Sequence, residues 1–215
     1  DHLRLLRAVR FASVLEFALA PATADAIRAG AASVTGVAAE RVRDELTRTL
    51  TESARAGDAL LCLKEVGLLE QLLPEVWAMH GTPQPPQFHP EGDVLVHTAL
   101  MLNQMEHTSP RLAWSVLLHD VGKPPTMTDN TDRIRFNGHP EVGGDIAAQI
   151  LRRLRFANDD IDFIVACVRG HMRTMSVPHM RRATLRRMVG APTFPVELEL
   201  HRLDCLGSHG DLTNY

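Results

Sequence analysis

Apolar residues recur at helical spacing along most of the chain. In LRLLRAVRFASVLEFAL, residues Leu5, Ala8, Val9, Ala12, Leu15 and Leu19 fall on one stripe, with Arg4, Arg7 and Arg10 on a neighbouring face. Pro21 suits the first turn of a second helix and Gly30 a stop. AAERVRDELTRTLTES places Val42, Leu46 and Leu50 on one side, and DALLCLKEVGLLEQLLPEVW predicts one or two short helices ending near Pro74. The stretch HGTPQPPQFHPEG, residues 80–92, holds Pro83, Pro85, Pro86 and Pro90 and predicts a connector. It divides the chain into segments 1–79 and 80–215. Asp93 can cap VLVHTALMLNQMEH, and Pro110 suits the first turn of RLAWSVLLHD, which Gly122 and the Pro124–Pro125 pair close off. A polar, irregular stretch follows from Thr126 to Gly138, with a short ribbon at RIRF. Further helices are expected from Pro140 to Leu154, Asp159 to Arg169, Pro178 to Val189 and Pro195 to Leu206. The expected fold class is all-α.

Composition agrees with that reading. Hydrophobic residues make up 45% of the 215 and aromatic residues only 5%, which favours helices over a β-sandwich. The formal charge of −3 excludes neither nucleic acid nor small phosphates, because local charge decides both. That charge is uneven: no acidic residue lies between Phe163 and Gly190, where Arg169, Arg173, Arg181, Arg182, Arg186 and Arg187 all fall. Cys62, Cys167 and Cys205 have no C-x-x-C spacing and read as buried thiols of a reducing compartment. No apolar run approaches the roughly 20 residues of a membrane span, and no secretory signal is visible. No membrane partner and a cytoplasmic location are expected. The opening on Asp1, already inside a helical pattern, predicts that the natural N-terminus lies upstream.

The order H…HD…H…H…D, read as His97, His119-Asp120, His139, His171 and Asp204, carries metal chemistry. Carboxylate oxygens suit hard divalent cations and imidazole suits first-row metals, so a mixed set could hold magnesium, manganese, nickel, iron or zinc. His119 and Asp120 are expected where an apolar helix ends and the backbone turns. His97 shares a helix face with Val94 and Met101, where an unpaired imidazole would be costly. His2, His80, His107, His179 and His209 have no assigned role.

WSVLLHDVGKP, with VLVHT upstream and HRLDCLG downstream, resembles the HD superfamily of metal-dependent phosphohydrolases. The resemblance implies a helical bundle over residues 80–215 in which His97, His119, Asp120 and Asp204 bind a divalent metal. It also implies a second metal at His139 and His171; the alternative for those two is phosphate contact without metal. One or two cations would acidify water and neutralise phosphoryl oxygens as charge builds. Asp120 and Lys123 are then the candidate catalytic residues, Lys123 as a donor to a non-bridging oxygen or else a solvated loop lysine. Arg173 is a weaker candidate for phosphate or RNA contact.

DHLRLLRAVRFASVLEFALAPATADAI, followed by AERVRDEL, resembles the neck of bacterial class II tRNA nucleotidyltransferases (CCA-adding enzymes) and poly(A) polymerases, many of which carry an HD domain after it. The resemblance covers essentially the whole chain and makes residues 1–79 the nucleotide- or RNA-binding neck. It implies that Asp1 and Arg4, the positions present from an E-D-x-x-R element, pair with the base of a nucleotide, and that Glu40, Arg41 and Glu45 brace them. The G-S motif with two carboxylates that polymerisation needs is absent from this sequence. Three readings follow: a phosphohydrolase acting on phosphate esters or nucleotides within a tRNA-processing protein, an RNA-gripping helical module with a structural metal, and a free-standing HD nucleotide hydrolase.

Overall fold

The structure is a computed structural model, and it describes residues 1–85, 92–106, 108–130, 133–208 and 212. The first part of the chain folds as α1 (Leu3–Val14), α2 (Pro21–Gly30), a 3-10 segment (Ala31–Gly36), α3 (Ala39–Glu52), α4 (Ala56–Glu65), α5 (Leu68–Leu72) and α6 (Pro74–Trp77). Then come α7 (Val94–Asn103), α8 (Pro110–Leu118), α9 (Lys123–Thr126), a two-stranded ribbon, α10 (His139–Arg153) and α11 (Asn158–Gly170). A 3-10 segment (Arg173–His179), α12 (Arg182–Val189) and α13 (Phe194–Ser208) complete it. The ribbon pairs β1 (Thr128–Asn130) antiparallel with β2 (Arg133–Arg135). The protein is all-α apart from that ribbon, as the periodicity predicts. Much of the proline connector, residues 86–91 with Pro86 and Pro90, lies outside the described residues, as do His107 and His209.

Three local expectations need correction. The inward face of α1 is Leu3, Leu6 and Val9, together with Arg10, whereas Leu15 is 53% exposed. The helix stops at Val14 because Glu16 takes a left-handed φ of 56°, so the stripe cannot run on to Leu15 and Leu19. The one or two short helices expected to end near Pro74 are indeed two, α4 and α5, divided by Gly67 at φ 75°, and Pro74 opens α6. The Pro124–Pro125 pair opens the short helix α9 rather than merely closing α8. Among the cysteines, which are all free thiols, Cys167 and Cys205 are buried but Cys62 is only partly so. Burial pushes the Cys167 thiol up to about 12, so it is inert near neutral pH.

Both parts of the chain share one core. A connected cluster of buried apolar side chains runs from Leu3, Leu6 and Val9 of α1 through Trp114 and Leu117 of α8 to Leu203 of α13. Trp114 is fully buried, donates through Nε1 to Thr47 Oγ1 at 2.9 Å, and meets the edge of Phe156 at a centroid distance of 5.1 Å. Helices α4 and α7 approach so closely that a β-carbon at Gly57 would overlap the Ala99 carbonyl. Asn103, at the end of α7, caps α4 by accepting from Gly57 N at 2.8 Å and Asp58 N at 3.3 Å. Arg153 of α10 reaches back to Glu75 of α6 through two hydrogen bonds, at 2.6 and 2.8 Å. Helices α7 and α10, which bear His97 and His139, are therefore braced directly by α4 and α6.

Candidate metal centre

Asp93 starts α7 by accepting from Val96 N at 2.8 Å, which sets His97 at the end of the first turn, with no exposure to solvent. Ser109 and Pro110 start α8, whose apolar body is buried to Leu118. His119 and Asp120 follow in the turn that Val121 N closes onto Leu118 O, and both are 1% exposed. His139 opens α10, His171 caps the C-terminal end of α11, and Asp204 lies within α13. Five separate pieces of the fold thus deliver six side chains to one place.

They arrive as two triads. The ligand atoms of His97, His119 and Asp204 all lie within 4.8 Å of one another, and so do those of Asp120, His139 and His171. Within the first, His97 Nε2 is 3.0 Å from Asp204 Oδ1. Within the second, His139 Nε2 and His171 Nε2 are 3.2 Å apart and lie 3.5 and 3.7 Å from Asp120 Oδ1. The other oxygen of Asp120 is 3.1 Å from His119 Nε2, so this carboxylate stands between the triads. His119 belongs to the first triad, whereas Asp120 faces both, one oxygen toward each.

The polar details fit a cation. The Nδ1 atoms of His119, His139 and His171 face the carbonyls of Val116, Phe136 and Val168 at 2.8, 2.8 and 2.7 Å. A carbonyl only accepts, so each Nδ1 must donate, and each Nε2 presents its lone pair to the site. Burial pushes His171 down to about 4 and lowers His139, against the pull of Asp120 on each. Two neutral imidazoles therefore aim lone pairs at each other across 3.2 Å, which is unfavourable unless a positive charge sits between them. His119 Nε2 and both Asp120 oxygens are buried without a hydrogen bond of good geometry. Burial alone would raise the Asp120 carboxyl, but His119, Lys123 and His171 hold it well below the usual carboxylate range. Burial likewise opposes ionisation of Asp204, and the His97 hydrogen bond outweighs it, so that carboxyl too is depressed. The donor set is one that could hold divalent metal, and the 29% exposure of the Asp204 side chain marks an open edge.

Of the other candidates, Lys123 joins the site: Nζ is 2.6 Å from Asp120 Oδ2, and the residue is 7% exposed, not a solvated loop lysine. Its second contact, Gln84 Oε1 at 2.7 Å, comes from the proline-rich stretch, where nothing in the sequence pattern singled Gln84 out. Arg173 is not drawn into either triad. It stands two residues past His171 and pairs with the buried Glu197 at 3.2 Å. Glu197 and the buried His201 were also missed, although with Asp204 they form an i, i+4, i+7 row on α13. In the first part of the chain, Asp1 pairs with Arg41 at 2.8 Å, and Glu45 receives Arg10 at 2.7 Å and Arg7 at 3.9 Å, so α3 braces α1. Arg4 is exposed on α1.

Comparison with known proteins agrees with this layout. The HD domain matches residues 93–206, and a probable RNA and SrmB-binding site of polymerase A matches residues 16–79. An A-adding tRNA nucleotidyltransferase of Deinococcus radiodurans is 39% identical over 183 residues, covering 80% of this chain and 42% of that protein. A multifunctional CCA protein of Burkholderia pseudomallei is 36% identical over 194 residues, covering 88% of this chain and 46% of that protein, and one of Burkholderia mallei is 35% identical over the same length. The chain therefore spans less than half the length of these relatives. Among the described residues no helix is long and apolar enough to cross a membrane. With more than half of its residues matched and both triads assembled, the chain belongs to the HD-domain family.

Proposed function

We propose that residues 80–215 form a metal-dependent phosphohydrolase domain, and residues 1–79 the RNA-binding neck, of a cytoplasmic tRNA-processing protein of the nucleotidyltransferase type. One observation carries the reading: the Nε2 atoms of His139 and His171 lie 3.2 Å apart beside Asp120 while both Nδ1 atoms face backbone carbonyls, an arrangement suited to holding a cation. His97, His119, Asp120 and Asp204 would hold one ion, and Asp120, His139 and His171 a second. When bound, the cations supply charge neutralisation for a phosphoryl group and make water acidic enough to attack near neutral pH.

The remaining chemistry belongs to the chain. Asp120 orients both halves of the site, since its two oxygens face different triads. Lys123 Nζ, once drawn from Asp120 toward an incoming substrate, donates to a non-bridging phosphoryl oxygen, while Gln84 keeps it aimed. The buried walls around His97, His119 and His171 exclude bulk water, and the substrate enters past Asp204. In the neck, Asp1 and Arg4 are the proposed base-reading pair, positioned through Arg41.

The test is elemental analysis of the purified chain together with hydrolysis of a 2′,3′-cyclic nucleotide. Stoichiometric divalent metal and a turnover that disappears in Asp120→Ala are expected. Metal-replete protein with no turnover on cyclic or linear phosphodiesters would favour the second reading, an RNA-gripping module whose metal is structural; the shared core between neck and bundle is the observation behind it.

A further inference from the structure

The ion pairing of this protein is uneven, and the unevenness is concentrated. Most described arginines elsewhere are matched to carboxylates, often at complementary spacing along the chain: Arg28 with Asp25, Arg48 with Glu52, Arg55 with Asp58 and Arg202 with Glu199. Exposed Arg4, Arg152 and Arg155 are isolated exceptions, not a cluster of four. Arg181, Arg182, Arg186 and Arg187, at and within α12, are all exposed, and no carboxylate among the described residues pairs with them. Arg182 and Arg186 stand at i, i+4, where like charges repel. The helix dipole accounts for Arg186 and Arg187 in the last turn. It disfavours Arg181 and Arg182 at the other end, where no acidic residue occupies the first turn. Packing does not explain the helix either, for within α12 only Met188 is buried.

Its placement is informative. The segment 172–193 is the excursion of the chain between His171 of one triad and the helix that bears Asp204 of the other. Its near end is pinned by Arg173 to the buried Glu197, which also accepts from Thr193 Oγ1 at 2.7 Å. At the rise of a 3-10 helix and of extended chain, Arg182 lies no more than about 30 Å from His171. Exposed Met172, Met175 and Val189 interleave with the arginines and offer apolar surface beside the charge.

We infer that α12 and the 3-10 segment before it form a landing strip for the sugar-phosphate backbone of an RNA strand, whose terminal phosphate then enters the metal centre. The inference deepens the proposed phosphohydrolase reading and rests on it for the second half: the substrate is the phosphorylated end of a polynucleotide, not a free nucleotide. Arginine guanidinium groups free of protein carboxylates suit phosphate oxygens, and such contacts dominate single-strand affinity and its salt dependence.

The experiment compares the metal-loaded 215-residue chain with its Arg182→Gln/Arg186→Gln/Arg187→Gln variant, using glutamine because it is a good helix former. Two probes are used: 2′,3′-cyclic AMP, and a short fluorescein-labelled single-stranded RNA ending in a 2′,3′-cyclic phosphate. Hydrolysis of cyclic AMP should be unchanged, which also shows that the variant folds, while kcat/KM for the RNA should fall at least about tenfold. Anisotropy titrations should show the slope of log K against log salt becoming shallower by about 2, the loss expected for three phosphate contacts to a single strand. An unchanged slope, or equal losses on both probes, overturns the inference while leaving the phosphohydrolase reading intact. If wild-type protein hydrolyses neither probe but the salt slope shifts as expected, the RNA surface stands and the phosphohydrolase reading fails.

Discussion

Gly122 sits directly after the Asp120–Val121 turn and against the start of α10, and adding one methyl group there tests the proposed metal centre without replacing any of its six side chains. Its backbone, at φ −82° and ψ −12°, is ordinary for any residue, so Gly122→Ala introduces no dihedral strain. The new β-carbon would instead overlap the His139 carbonyl and lie 2.6 Å from Gly143 N and 2.9 Å from Gly143 Cα. All three are backbone atoms of α10, which cannot swing aside as a side chain could. Ordinary contact begins at 3.4 Å, so α10 must recede by about 1 Å, taking His139 away from Asp120 and His171. A misplacement of that size at a reacting centre costs on the order of 100-fold in rate, and overpacking costs about 1–3 kcal/mol in stability. The assay is kcat/KM on a 2′,3′-cyclic nucleotide beside metal content and Tm. Gly36→Ala, where a β-carbon meets nothing within 4 Å, is the matched control and should behave as wild type. A Gly122→Ala protein with full metal content, full turnover and unchanged Tm would refute the reasoning.

Other outcomes follow from the same geometry. Glu45→Ala leaves the buried Arg10 guanidinium with only the longer 3.5 Å pairing to Glu52, so urea titration should show a loss of about 1.5–3 kcal/mol. Asn103→Ala removes the acceptor of two amides at the start of α4 and should cost about 1 kcal/mol, read from the same titration. In metal-free protein, His171 stays neutral down to about pH 4 while the unfolded chain takes up that proton near 6.5. The unfolded state thus binds more protons in that window, and Tm should fall as pH drops from 6.5 toward 4; a flat profile would contradict the burial of His171.

The clustering of the six side chains was legible because they sit where sequence gives sharp cues. Asp93 and Ser109 are recognisable caps, and the apolar run before His119-Asp120 fixes that dyad at a helix end. The helical class followed from periodicity, since Val42, Leu46 and Leu50 do lie on the buried face of α3. What escaped depends on tertiary pairing. Gln84 meets Lys123 across 39 positions, and Arg10 becomes an inward residue because Glu45 and Glu52 on α3 neutralise it. A periodicity argument counts arginine as polar and so rotates α1 by the wrong amount. Glu197 likewise reads as a surface acid until Arg173 and Thr193 are seen to enclose it.

Charge is a further argument for the proposed phosphoester substrate. Each triad contains one carboxylate and two imidazoles, and burial keeps His139 and His171 neutral near pH 7. A dication in each triad would therefore exceed the charge of its carboxylate, leaving a surplus positive charge in a largely buried cluster whose most exposed side chain is Asp204. Lys123 adds to the surplus, because its Asp120 partner is shared with the metal ligands. A neutral substrate would leave that charge uncompensated in a largely dry site, whereas a phosphodiester or phosphomonoester supplies the missing negative charge. Lys123→Met should therefore weaken binding of a phosphate-bearing inhibitor while metal content stays at the wild-type level. Equal inhibitor affinity in the two proteins would show that Lys123 serves Asp120 alone.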